Sequence, residues 1–133
     1  MSTRATVHFQ YKGVTKAIVY KHSDGYPDGL GKDLEKFLDE VEENLSDTRF
    51  NDPQYLAAKF VVWQVKDYEK YYGLKNHFLD FFNVGIYLTD PSDIEYRYLL
   101  ECSSYDKPTI TVEEAHMFED SPGNISLRYD ILV

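Results

Sequence analysis

The hydrophobic period changes along this chain, and the change limits the folds open to it. Over residues 3–12 apolar and polar residues alternate. Ala5, Val7, Phe9 and Tyr11 fall on one side, and Arg4, Thr6, His8, Gln10 and Lys12 on the other. A period of two belongs to a half-buried strand. Gly13 supplies a turn, and the β-branched run after it, residues 14–21, reads as the second strand of a hairpin. The period then becomes helical. Leu34, Phe37, Leu38, Val41 and Leu45 make one apolar stripe on a helix predicted over about 32–45. Asp33 and Glu35 lie in its first turn, where the helix dipole favours acids.

A second helix starts at Asn51-Asp52-Pro53, with Asp52 as cap and Pro53 at the first helical position. Residues 55–65 are apolar nearly all round, which predicts a fully buried element ended by Tyr71-Tyr72-Gly73. Strands are expected at 83–89, 95–102 and 109–112, separated by turns at Asp90-Pro91-Ser92-Asp93 and 103–108. After the turn Ser121-Pro122-Gly123-Asn124, alternation of Ile125, Leu127, Tyr129, Ile131 and Val133 predicts a last strand. The order ββααββββ implies an α+β fold. It would be one domain over 1–133, with a mostly antiparallel sheet of about five to six strands and two helices.

The formal net charge is −9 in 133 residues. Such a chain repels phosphate backbones, which argues against direct nucleic-acid binding and leaves a basic protein partner or a nucleic-acid mimic open. Charge is uneven: Arg4, Lys12, Lys16 and Lys21 precede the first carboxylate, Asp24. Cys102 is the only cysteine, so no intramolecular disulfide forms. With no apolar leader and no membrane-length run, a cytoplasmic location and no membrane are expected.

The loop 22–31, HSDGYPDGLG, carries the candidate chemistry: His22, Asp24, Tyr26 and Asp28. Asp24, Asp28, Gly29 and Glu35 match part of a calcium-loop register, but Tyr26 and Lys32 stand where ligands belong, so no metal is expected. The glycines lack phosphate-loop spacing, and Asp33 and Glu35 would repel a phosphate. A structural turn explains the loop better. Bulky substitution of Gly25, Gly29 or Gly31 should then be costly, through positive φ if any adopts it. His8, His77 and His116 are scattered without a zinc-ligand spacing, and Cys102 reads as a buried, inert thiol. No cofactor and no catalytic residue follow from the sequence.

Seven acids crowd residues 33–47. Asp39, Glu40, Glu42 and Glu43 fall opposite the apolar stripe, either as a solvated face or as carboxylates offered to a basic partner. The segment VYKHSDGYPDGLG, between a strand and this acidic helix, resembles a loop of small uncharacterised bacterial and phage proteins with a His-x-Asp-Gly-Tyr-Pro pattern. EYRYLL, after the strand at 83–89, is similar to their later half. The resemblance implies a shared fold and phage or prophage origin, and brings no established activity. With the acidity it leads to an expected non-enzymatic protein-interaction role, such as an acidic inhibitor of a host defence or nucleic-acid machine (anti-CRISPR-like). A small metal-dependent or hydrolytic enzyme using the 22–28 loop, and a housekeeping scaffold domain, are the competing readings.

Overall fold

A computed structural model describes residues 2–72, 79 and 82–132. At its centre lies β1 (Ala5–Tyr11), with a strand on either side. Lys12 and Gly13, at φ of 50° and 77°, form the tight turn into β2 (Val14–Lys21). The Glu101 carboxylate accepts both backbone N–H groups of that turn at 2.8 Å, so its geometry is held from a distant strand. A π-helical turn (Pro27–Gly31) runs into α1 (Lys32–Asn44), and α2 (Pro53–Tyr72) follows. Then come β3 (Val84–Tyr87), β4 (Tyr96–Glu101), β5 (Thr109–Ser121) and β6 (Asn124–Ile131).

The fold is α+β, with one six-stranded, mostly antiparallel sheet. Strand order in the sheet is β3-β2-β1-β4-β5-β6, which departs from chain order, and β1 pairs with β4 in parallel. Hairpins alone cannot produce that pair. Residues 88–95 supply the connection, carrying the chain from β3 to β4 over the face away from the helices. On the helix face, Val7, Phe9, Val19, Tyr98 and Leu100 meet Leu34, Phe37, Leu38, Leu56 and Phe60. Phe60 is the hub, with ring centroids 5.2 Å from Phe37 and 6.2 Å from Phe9.

Two expectations are corrected. First, α2 buries only one face, through Leu56, Ala57, Phe60 and Gln64, while Tyr55 and Val62 are 50% and 61% exposed. Its strand-forming run stays helical because Pro53 opens the helix and Asp52 accepts the Tyr55 N–H at 3.3 Å. Second, β5 does not stop at residue 112. It runs on to Ser121 because β6 pairs it along that length: β4 pairs Thr109 to Glu114, and beyond that β5 has β6 beside it. The helix stop at Gly73 and the strand end at Val133 lie outside the described residues. Among those residues no helix is long and apolar enough to cross a membrane.

The 22–31 loop is structural for a reason other than the one anticipated. None of Gly25, Gly29 and Gly31 has a positive φ; Asp24 does, at 60°. Close approach is what excludes a side chain. A Cβ on Gly25 would lie 2.6 Å from Ala5 Cβ and 2.8 Å from the Thr3 carbonyl, and one on Gly29 would lie 2.6 Å from the Asp24 carbonyl. The Gly25 N–H donates to Thr3 (2.9 Å), and the Gly25 carbonyl accepts the buried Tyr98 hydroxyl (2.6 Å). Gly31 differs, with helical φ and ψ of −59° and −45° and nothing nearer its Cβ position than 3.5 Å. Gly25→Ala should therefore lower stability by about 1–3 kcal/mol through overpacking. Gly31→Ala should be neutral or raise it by about 0.5–1 kcal/mol. Thermal melts of the two variants check this; equal effects at both positions would contradict the packing account.

Candidate functional site

The four loop candidates do not converge. His22 sits at the end of β2, where its Nδ1 is 2.8 Å from the Tyr20 hydroxyl and its N–H donates to Asn83. Asp24 takes part in the turn by its backbone, whose carbonyl accepts from Leu30 at 3.0 Å. Tyr26 is 42% exposed, and Asp28 lies 3.8 Å from Lys32 on the exposed surface. Among the described residues no cluster of three or more His, Cys, Asp or Glu is disposed to hold a metal ion. Cys102 is buried, and burial pushes its thiol up to about 12, which makes it inert.

The acidic helix divides into committed and uncommitted carboxylates. Leu34, Phe37, Leu38 and Val41 bury one side of α1, leaving Asp39, Glu40, Glu42 and Glu43 exposed on the other. Asp39 pairs with Lys107 of the β4–β5 connection. Glu40 accepts the Trp63 indole N–H at 2.7 Å and so bolts α1 to α2. Among the described residues no cation lies within ion-pair distance of Glu42 or Glu43. Between the two helices, with Glu40 on its α1 bank, runs a groove of about 430 Å³ walled by Phe37, Val41, Leu45, Val62 and Trp63. Lys59 and Lys66 rim its α2 side. Sequence periodicity placed the acids outward but could not show that two of them are spoken for, nor that α2 leaves Val62 and Trp63 facing a gap.

A polar cluster that sequence reasoning missed lies on the opposite face of the sheet. Asp90, in the 88–95 crossing, accepts hydrogen bonds from Thr6 Oγ1 (2.7 Å), His8 Nε2 (2.7 Å) and the Tyr129 hydroxyl (2.9 Å). Arg97 approaches the same carboxylate at 3.6 Å, grips Glu113 through two nitrogens at 2.7 and 3.2 Å, and lies 3.4 Å over the Tyr129 ring. Because a carboxylate only accepts, His8 must carry its proton on Nε2. Its Nδ1 then faces the Thr15 hydroxyl at 2.8 Å. Thr15, His8 and Asp90 thus line up in the order of a nucleophile relay. Two features tie the row to structure instead: Asp90 is saturated by its other donors, and Thr15 also accepts from Gln10 at 3.3 Å. Thr6, His8 and Glu113 are all buried. The only sequence signal was the kind of polar residue on β1, uncharged Thr6 and His8, where a solvated strand face would carry longer charged side chains.

Compared with known families, with curated proteins and with solved structures, the chain finds no match in any of the three.

Burial alone would raise Asp90, but the hydrogen bonds from His8 and Thr6, the charge of His8 and the Tyr129 bond outweigh it and hold the carboxyl at about 2. Its ordinary value is 3.8. A depressed carboxyl stabilises the fold above the unfolded value, and that contribution is lost as pH falls from 3.8 through about 2. Asp90→Ala should lower stability at neutral pH by about 2–4 kcal/mol, because it leaves buried donors unpaired. It should also flatten the acid limb of the stability profile. Urea titrations across the acid range check both; an unchanged acid limb in Asp90→Asn would show that the carboxylate is not its source.

Proposed function

We propose that this chain is a protein-interaction domain that docks α1 onto a basic partner surface and receives an apolar side chain of that partner in the α1–α2 groove. One observation carries the reading: an apolar groove runs along the α1 face that carries Glu40, and the same helix offers Glu42 and Glu43, which pair with no cation among the described residues. Glu43 follows Glu40 of the groove wall by three residues and so shares its side of the helix. Because the buried stripe and the Trp63–Glu40 bond hold α1 in place, its charge is offered without an ordering penalty. Apolar anchor with charged rim is the usual anatomy of a docking patch. The resemblance of the 22–31 loop extends the proposal to a phage or prophage protein acting as an inhibitor, and the net charge of −9 suits a target built to hold nucleic acid.

The test uses the immobilised chain and a lysate of cells that encode it. A captured partner should be released as salt rises, since exposed charges are screened beyond roughly 10 Å at about 0.1 M. Glu42→Lys with Glu43→Lys should weaken capture about tenfold or more and slow association. Val62→Asp should weaken it through the groove. Both changes are on the surface and should shift stability by no more than about 0.5 kcal/mol. A partner held with full affinity by both variants would overturn the assignment of this surface.

A further inference from the structure

Among the described residues, the outer edge of β6 is the longest unpaired strand edge. It closes one end of the sheet over Asn124–Ile131, and Ile125 and Ile131 on it are 56% and 71% exposed. The Leu132 N–H donates inward to Val112 at 2.8 Å. In an antiparallel ladder the even-numbered residues of β6 therefore bond to β5, and Ile125, Leu127, Tyr129 and Ile131 turn their N–H and C=O groups outward. Such an edge is a template for another strand.

The pattern of side chains along it selects the occupant. When β6 is laid antiparallel on a second copy of itself, only registers that place odd residues opposite odd residues use these outward groups. Centring on Tyr129 sets Arg128 against Asp130 of the other copy, twice, on one face. On the other face it sets Leu127 against Ile131, also twice. Shifting the centre to residue 128 or 130 puts Arg128 against Arg128 or Asp130 against Asp130, and like charges directly opposite are unfavourable. Centring on Leu127 leaves Arg128 facing Ser126 with no charge to meet. In the single chain Arg128 bonds Asp120 at 2.9 Å and Asp130 lies 3.2 Å from His116, both partners on β5, so the two side chains share one face of the sheet and association exchanges these exposed pairs for pairs across the axis.

We propose that two copies of this chain associate through β6, antiparallel and centred on Tyr129, to form one continuous twelve-stranded sheet with two-fold symmetry. The interaction does not use α1 or the groove, so it stands or falls independently of partner docking.

Sedimentation velocity over a range of concentrations reads the association. The unmodified chain should dimerise. Arg128→Asp alone sets acid against acid, Asp130→Arg alone sets base against base, and each should raise the dimer dissociation constant about tenfold or more. The double variant restores opposite charges across the axis and should recover dimerisation. Thermal melts establish that each variant is folded. A second pair of variants fixes the register without disturbing charge. Leu127→Cys combined with Ile131→Cys should form a disulfide-linked dimer on mild oxidation, and Leu127→Cys alone should not; Cys102 is buried and takes no part. A chain that remains monomeric at about 1 mM overturns the proposal. So does a double charge variant as weak as the single ones, or ready cross-linking by Leu127→Cys alone.

Discussion

One carboxylate closes the side of the sheet that the helices leave open. Asp90 gathers Thr6 and His8 from β1, Tyr129 from β6 and Arg97 from β4. A sheet with helices on one face ordinarily turns its other face to water. Here the 88–95 crossing covers β1 instead, and Thr6, His8 and Tyr129 are directed at one acceptor within it. A buried charge satisfied in this way stabilises the fold only as a set, because removing any member leaves the others desolvated and unpaired. Arg97 extends the set by gripping Glu113, so β1, β4, β5, β6 and the crossing are joined through side chains as well as through the ladder.

The helix face works by the opposite principle. Phe9, Phe37, Phe60 and Trp63 pack as rings, and position comes from shape. Trp63 faces both ways: its ring stacks on Phe60, and its N–H fixes Glu40. The same contact aligns α1 with α2 and leaves the groove between them. The surface proposed for docking is thus a by-product of how the core is packed: Leu34, Phe37, Leu38 and Val41 hold α1 in place, while Leu45, the last residue of the expected stripe, is 41% exposed at the groove.

Elements with a clean period were legible in the sequence. The first hairpin, α1 and the last strand follow from alternation or a single stripe, and the α+β class follows from their order. What escaped is long-range. The parallel β1–β4 pair joins segments from opposite ends of the chain, and no local pattern records it. Alternation in β1 shows that its two faces differ, not that the polar one is bare. For the same reason Asp90 looked like an ordinary turn residue before proline. In the 22–31 loop the importance of Gly25 was anticipated and its cause was not. Backbone freedom can be guessed from composition, but a 2.6 Å approach of Ala5 can be known only from the folded chain. Among the acids of α1, spacing gave direction, and only Lys107 and Trp63 separate the occupied carboxylates from the idle ones.

The parallel pair also dictates an order of assembly. β1 and β2 can close as a hairpin as soon as they exist, and α1 and α2 can coil nearby. Yet the central strand keeps one raw edge until residues 96–101 arrive, because nothing earlier in the chain pairs there. Closing so long a loop is slow relative to local steps, and the interval leaves Val7 and Phe9 half covered beside an open ladder. Folding of this chain is therefore gated by its last third. A ribosome-bound fragment that stops before Tyr96 holds a strand edge that any other extended segment can capture.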